Sequence, residues 1–199
     1  MLKGVRDLLA RGNVQHAVAV MNAIPLFAKP GVSITFDEDR FLAIVDIAPV
    51  LAKHGDDAQA TAAIQEITDA KLRARALGRT SITLMPTAPA RAREFLDESM
   101  KILADVPDNN TRDKELTAIA KGFCDQSNVD STRAVLEKVT MDNARATVQT
   151  CLVGSLLKTR HIRAARLEAD SIANLQDRSD AYIAILNAYA TANAVRASP

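Results

Sequence analysis

One sequence pattern, typical of a pair of helices, recurs along the whole chain. Each copy has a small or polar turn, a helix with an apolar residue every three or four positions, a closing Ile or Val, a turn with Asp or Pro, and a second helix. The closing residues are Ile24, Ile67, Val106, Val139 and Ile172. The aspartates expected to open the second helix lie 39, 34 and 35 residues apart, at Asp69, Asp108, Asp142 and Asp177. Repeats of this length are typical of paired helices.

This repeat predicts how the chain folds. A single helix pair cannot bury its apolar face, so successive pairs are expected to stack on one another. Hydrophobic residues make up 48% of the chain and aromatic residues only 4%, which favours closely packed helices rich in Ala, Leu, Ile and Val. The sequence therefore predicts an all-α fold, a right-handed alpha-solenoid of about five antiparallel helix pairs. Residues 1–199 are expected to form a single helical-repeat domain, or one segment of a longer solenoid.

Polar residues and prolines mark the expected helix boundaries. Asp or Asn side chains are expected to cap helix N-termini at Asp56, Asp69, Asn128 and Asp142. Two connections break the regular pattern. Residues 26–38 are expected to form a long connection with a brief extended segment at 32–36, and the proline-punctuated residues 84–90 are expected to link the second and third units.

The residue pattern of the repeats resembles that of a known family. One copy reads Gly55-Asp56, then Ala62-x-Ile64, Ile67-x-Asp69 and Arg73-Ala74-x-Ala76-Leu77. The same pattern recurs at residues 128–146 and 161–177. It resembles the tetratricopeptide-like repeats common in bacterial proteins. The resemblance implies a scaffold that presents a groove to a peptide or helix of another protein, and it implies no catalytic residues. HEAT-like stacking is the alternative, suggested by Asp69-x-x-x-Arg73 and the Arg75 to Gly78 segment.

Residues suited to catalysis do not converge in the sequence. His16, His54 and His161 lie in separate repeats with no metal-binding spacing. The seven glycines are scattered singly, so no phosphate-binding loop is predicted. The acidic residues 37–39 are interpreted as the solvated start of a helix. These observations predict a protein that is not an enzyme and needs no cofactor or metal.

The two cysteines and the hydropathy indicate a cellular setting. Cys124 and Cys151 lie in helical stretches without a CxxC motif, and both are interpreted as ordinary small core residues. That interpretation favours a reducing compartment and predicts a cytoplasmic protein. No apolar run approaches the ~20 residues that span a bilayer, and no secretion signal is read in the first residues.

The charge distribution suggests where a partner binds. The chain has a net charge of only +1, yet residues 71–93 contain five arginines and Lys71 with no acidic residue. The predicted partner-binding residues are Arg73, Arg75, Arg79, Arg91, Arg93, Arg163 and Arg166. The expected partner is a peptide or amphipathic helix of another protein, of acidic character.

Two further kinds of partner remain open. The arginine-rich segment 71–93 is also compatible with nucleic acid or phosphate, which the lack of interleaved aromatic residues disfavours. A homodimer through the C-terminal helix is suggested by Ile185 and Tyr189, because no helix follows to cover their apolar face.

Overall fold

The chain is all-helical in the part that the structure describes. The computed structural model describes residues 2–24 and 36–197, with side chains of residues 38–191 in the second range. It contains eleven helices and no strand in those residues: α1 (Leu2–Ala10), α2 (Val14–Asn22), α3 (Phe36–Lys53), α4 (Asp57–Gln65), α5 (Ala70–Leu84), α6 (Pro89–Ala104), α7 (Asn109–Asp125), α8 (Val129–Leu136), α9 (Asp142–Lys158), α10 (Ile162–Asp170) and α11 (Leu175–Ala197). The all-α prediction is confirmed for these ranges. Of the expected extended segment, residues 32–35 lie outside them, and Phe36 begins α3.

The helices fall into two compact units, Met1–Val106 and Pro107–Pro199. In the first unit α1, α3 and α5 pack side by side, and in the second α7, α9 and α11 do the same. We call these odd-numbered helices A-type. The even-numbered helices, called B-type, each pack most closely on the A-type helix that precedes them.

This pairing corrects the expected phase of the repeat. The sequence pattern suggested that each B-type helix pairs with the A-type helix that follows it. In the structure α5 packs extensively on α6 and touches α4 only slightly. Residues 85–88 are therefore the tight turn inside the α5–α6 hairpin, and the prediction that this segment links two repeat units was wrong.

Small hydroxyl residues join the A-type helices to their neighbours. The Ser81 hydroxyl donates to the carbonyl of Ala92 in α6 at 2.6 Å, and the Ser99 hydroxyl of α6 donates to Ala74 in α5 at 2.7 Å. In the second unit the Ser155 hydroxyl of α9 donates to the Cys124 carbonyl of α7 at 3.1 Å. A buried hydroxyl needs such a partner, so these bonds fix which faces of the helices meet.

Three of the four predicted helix caps are confirmed. The side chains of Asp56, Asp69 and Asn128 accept hydrogen bonds from backbone amides in the first turns of α4, α5 and α8. Asp142 is instead the first residue of α9, and the preceding Met141 occupies the cap position without a side-chain bond.

Asp113 of α7 replaces the missing cap of α9. Its carboxylate accepts hydrogen bonds from the amides of Thr140 at 2.8 Å and Met141 at 2.6 Å, and from the Thr140 hydroxyl at 3.1 Å. Burial acts to raise the pKa of Asp113, but these bonds and one from Arg112 outweigh it and hold the pKa below its usual value. The charged carboxylate therefore ties α7 to the start of α9.

The two cysteines form a pair. Cys124 in α7 and Cys151 in α9 are joined by a disulfide, with their Cα atoms 6.0 Å apart. The interpretation of both as ordinary small core residues was wrong because they are paired, although Cys124 is buried in the core. They are 27 residues apart in the sequence and lie on neighbouring A-type helices. A contact between residues so far apart cannot be recognised from a local cysteine motif.

Candidate binding surfaces

The predicted arginine cluster does not face in one direction. In α5, the Arg79 guanidinium donates to Asp46 of α3 at 2.5 Å, and Arg6 of α1 donates to the other oxygen of the same carboxylate at 2.7 Å. Asp46 is thereby flanked by two cations on the surface formed by three A-type helices. Arg79 is partly neutralised there, which reduces its field.

Arg91 of α6 reaches a different helix. It forms ion pairs with Glu94 and with Asp57 of α4, the latter at 3.7 Å. Its guanidinium also lies 4.6 Å from the centre of the Phe95 ring, a cation–π contact. Arg79 and Arg91 thus contact α3 and α4 respectively, and the sequence cluster is divided between two surfaces.

Arg73 belongs to a set of arginines that recur at the same position in successive repeats. An arginine follows the closing Ile or Val by six residues in four repeats, at Arg73, Arg112, Arg145 and Arg178. The corresponding residue of the first repeat is Arg40, which follows Ile24 by sixteen residues because the long connection intervenes. The N-cap residue of each helix lies four residues before its arginine, at Asp69, Asp108, Met141 and Asn174. The expectation that Asp142 and Asp177 open their helices is thereby corrected to Met141 and Asn174.

Arg40 and Arg145 show what this position does. The buried Arg40 donates to the carbonyls of Met21 and Ile24 at 3.1 and 3.2 Å, and forms an ion pair with Glu66. Arg145 donates to the carbonyls of Val139 and Leu136 at 3.3 and 3.5 Å. Both therefore bind carbonyls at the end of the preceding B-type helix.

The remaining predicted residues are more dispersed. Arg73 is half-buried, and its Nε has no hydrogen-bond partner among the described residues. Arg75 is half-buried and Arg93 is exposed. Arg163 and Arg166 are exposed on α10 of the second unit, where Arg166 lies close to Tyr182. The Tyr182 hydroxyl donates to Asp170, and this bond raises the pKa of Tyr182.

A basic groove lies between α7 and α9 of the second unit. It has a volume of about 370 Å³, and its lining includes the side chains of Lys114, Lys121, Thr117, Asn110 and Asn143. The first four occupy one side of α7, at spacings of three or four residues along the helix. We call this feature the α7–α9 groove.

Two features suit the α7–α9 groove to an anionic ligand. Its acidic lining residue, Asp113, already accepts the bonds described above from Thr140 and Met141, whereas Lys114 and Lys121 are exposed. In addition, Thr117 has a buried hydroxyl oxygen with no hydrogen-bond partner among the described residues. The groove therefore offers two exposed cations, and an unpaired hydroxyl lies buried in its wall.

Sequence reasoning missed Lys114 and Lys121 because the surrounding residues hide their charge. Asp113, Glu115 and Asp125 balance the local count, so no basic run appears. In the structure Asp113 and Glu115 are both buried. Sorting the residues of α7 by helical face would have separated the two exposed lysines from those acids.

Two other grooves in the second unit carry mixed charge. One of about 600 Å³ lies between the α7–α8 and α9–α10 turns, and its lining includes Asp130, Arg133 and His161. Another of about 320 Å³ between α8 and α10 is lined by both Glu137 and Arg145. Within residues 2–24 and 36–197, no group of three His, Cys, Asp or Glu side chains is placed to hold a metal ion. Nor is any helix in those ranges long and apolar enough to span a membrane.

Comparison with known proteins gives no assignment. No protein-family model matches the chain, and no curated protein or solved structure matches it either. The resemblance to tetratricopeptide-like repeats thus stays a prediction, and so does its HEAT-like alternative.

Proposed function

We propose that this chain is a non-catalytic scaffold that binds a short acidic segment of another protein in the α7–α9 groove. The proposal includes tetratricopeptide-like hairpins, stacked within each unit as a segment of right-handed solenoid. The observation that carries it is the pair of exposed lysines beside a buried carboxylate that is already fully engaged. An acidic ligand meets no competing free carboxylate in the lining.

The chemistry of the groove supports a peptide ligand. Lysine ammonium groups on flexible stems pair with carboxylates in several geometries, so they tolerate different acidic side chains. Asn110 and Asn143 have amide groups that can donate to and accept from a peptide backbone. A volume near 370 Å³ is at the small end of ligand sites, which fits a few residues of an extended segment.

The arginines predicted from sequence are not part of the proposed binding site. Arg79 and Arg91 are engaged in ion pairs within the first unit. Exposed ion pairs of this kind are weak, so they do not prevent a partner from binding there. No contact in the structure specifically favours nucleic acid or phosphate at residues 71–93, and that alternative remains a sequence-based prediction.

The predicted cytoplasmic location has lost its main support. It depended on the cysteines being unpaired, whereas Cys124 and Cys151 are joined. Disulfides persist mainly in oxidising compartments. The proposed binding function is independent of the compartment.

Affinity capture from lysate of the source organism tests the function. The wild-type chain is compared with a Lys114→Glu/Lys121→Glu variant, and with a control variant, Lys101→Glu/Lys138→Glu, that has the same charge change at other exposed lysines. We expect mass spectrometry to identify a protein that the wild type and control retain and that the groove variant loses. Equal retention by all three chains would refute the α7–α9 groove as the site.

Two further observations would refute the proposal more broadly. Polynucleotide recovered in a salt-sensitive manner, and lost in an Arg79→Glu/Arg93→Glu variant, would favour the nucleic-acid alternative. A small-molecule conversion by the purified chain that a single substitution abolishes would show that the protein is an enzyme.

A further inference from the structure

Two positions follow the same register in the five A-type helices from α3 to α11. Counted from the recurring arginine, the first lies eight residues later and the second eleven residues later. The first position holds Ala48, Ser81, Ala120, Val153 and Leu186. The second holds Leu51, Leu84, Phe123, Leu156 and Tyr189.

These positions are buried in four helices and exposed in the fifth. In α3, α5, α7 and α9 all eight residues are at most 3% exposed. In α11, Leu186 is 65% exposed and Tyr189 is 48% exposed. The same register therefore places core residues in the earlier helices and surface residues in the last.

The B-type helix is what covers this face. The Ser81 hydroxyl of α5 bonds to the Ala92 carbonyl of α6, so in this hairpin the first position faces the B-type helix, and the shared register extends that orientation to the other A-type helices. Within the residues that the structure describes, α11 packs on α9 and α10 but has no B-type helix after it. Its register positions are left without the helix that buries their equivalents.

The exposed large apolar side chains of the chain gather at this end. Those in the described part all belong to the last two helices, α10 and α11: Leu167, Leu175, Ile183, Leu186 and Tyr189. Single exposed apolar residues are ordinary, but a contiguous group on one helix marks an interaction surface. Ile183, Leu186 and Tyr189 recur every three residues and share one side of α11.

We propose that α11 of a second copy of this chain covers this face, packing antiparallel across a two-fold axis. Leu186 lies at the midpoint of α11, which runs from Leu175 to Ala197. An axis at Leu186 overlaps the two helices along their full length, about 34 Å at 1.5 Å per residue. It also places Ile183 of each copy beside Tyr189 of the other, so the surface is complementary to itself.

The charge of the face fits a second copy. Between residues 179 and 191, Asp180 is the one charged side chain, so two copies meet with little like-charge repulsion. Depletion of charge around aromatic and aliphatic residues is typical of an interface core. A strongly charged partner would find no complementary charge in this stretch.

Sedimentation equilibrium tests the proposal. We expect the wild-type chain to have twice its monomer mass of 21.4 kDa at micromolar concentrations. A Leu186→Asp variant places a charge at the axis and is expected to raise the dimer dissociation constant at least 100-fold. The matched control is Asn187→Asp, which adds the same charge beside the face and should remain dimeric.

The orientation is tested by cysteine cross-linking of the otherwise native chain. Mixed Ile183→Cys and Tyr189→Cys chains are expected to form a disulfide-linked heterodimer more readily than either variant cross-links with itself. The far-ultraviolet circular dichroism spectrum of Leu186→Asp should match that of the wild type, because the substituted side chain is exposed in the monomer. Its thermal unfolding should match that of the wild type only at a concentration where the wild type is also monomeric. A wild-type chain that stays monomeric at about 100 μM, or a Leu186→Asp variant that stays dimeric, would overturn the proposal.

Discussion

Helices α9 and α11 are neighbours in one unit and occupy the same place in the repeat, yet only α9 is enclosed. Helix α10 follows α9 and packs closely on it, whereas no B-type helix follows α11 in the described part of the chain. Val153 and Leu156 of α9 are buried, and their equivalents Leu186 and Tyr189 are exposed. The difference shows that the register alone does not make a residue part of the core, because the covering helix must also be present.

The beginnings of the two helices differ as well. Helix α9 is capped by Asp113 from α7, a long-range contact to a charged side chain. Helix α11 is preceded by Asn174, whose side-chain oxygen accepts from the amides of Gln176 at 2.8 Å and Asp177 at 3.1 Å. The start of α9 thus depends on another helix and on ionisation, while the start of α11 depends on neither.

The largest expected difference in stability is between equivalent substitutions on the apolar faces of α9 and α11. Leu156→Ala should reduce the free energy of unfolding by about 2–5 kcal/mol, because it leaves a cavity in a packed core. Leu186→Ala removes the same atoms from the equivalent helix but should cost less than about 0.5 kcal/mol in the monomer. Urea denaturation at a concentration where the chain is monomeric measures both. Equal losses would contradict the view that α11 is uncovered.

The second effect concerns the caps. Asp113→Asn should reduce the free energy of unfolding at pH 7 by about 1–2 kcal/mol, since a neutral amide accepts more weakly from the Thr140 and Met141 amides. An Asn174→Ala variant, which removes the uncharged cap of α11, provides the comparison.

The pH dependence of this effect has a definite sign. Because the folded-state pKa of Asp113 is lowered, its contribution is complete above the ordinary aspartate pKa of about 3.9 and is lost as the pH falls through the folded value. The wild type should therefore lose its advantage over Asp113→Asn in that acidic window. An advantage that stays constant from pH 7 to about pH 2 would show that the charge of Asp113 is not what stabilises α9.

The smallest effect concerns the recurring arginines. Arg145→Met should cost about 0.5–1.5 kcal/mol, because the carbonyls of Leu136 and Val139 lose a charged donor. Arg178 occupies the same place in the first turn of α11 but makes no described hydrogen bond to the end of α10, so Arg178→Met should cost less. Thermal unfolding of the two variants measures the difference. A larger loss from Arg178→Met would reverse the assignment.

The sequence predicted the helices and their boundaries well. The closing residues Ile24, Ile67, Val139 and Ile172 are all buried at helix ends, as their periodicity indicated. Local capping chemistry also identified the starts of α4, α5 and α8. These features depend on neighbours within a few residues, which a sequence displays directly.

Contacts between distant helices were not predictable in the same way. The pairing of α5 with α6, the Cys124–Cys151 link and the bonds of Asp113 all join residues that no local spacing relates. The Arg145 position was visible as a pattern, yet its role became clear only when the carbonyls beneath it were located. The basic character of the α7–α9 groove likewise depends on which acids are buried.

The first repeat shows how freely its junction can be lengthened. Arg40 binds the carbonyls of Met21 and Ile24 although sixteen residues separate it from Ile24, and Arg145 binds the equivalent carbonyls across only six. Ten additional residues at the junction have therefore left the join between the helices intact. Since extra loop length costs little closure entropy, the corresponding point between Ile172 and Asn174 is suited to carry a grafted epitope or reporter peptide.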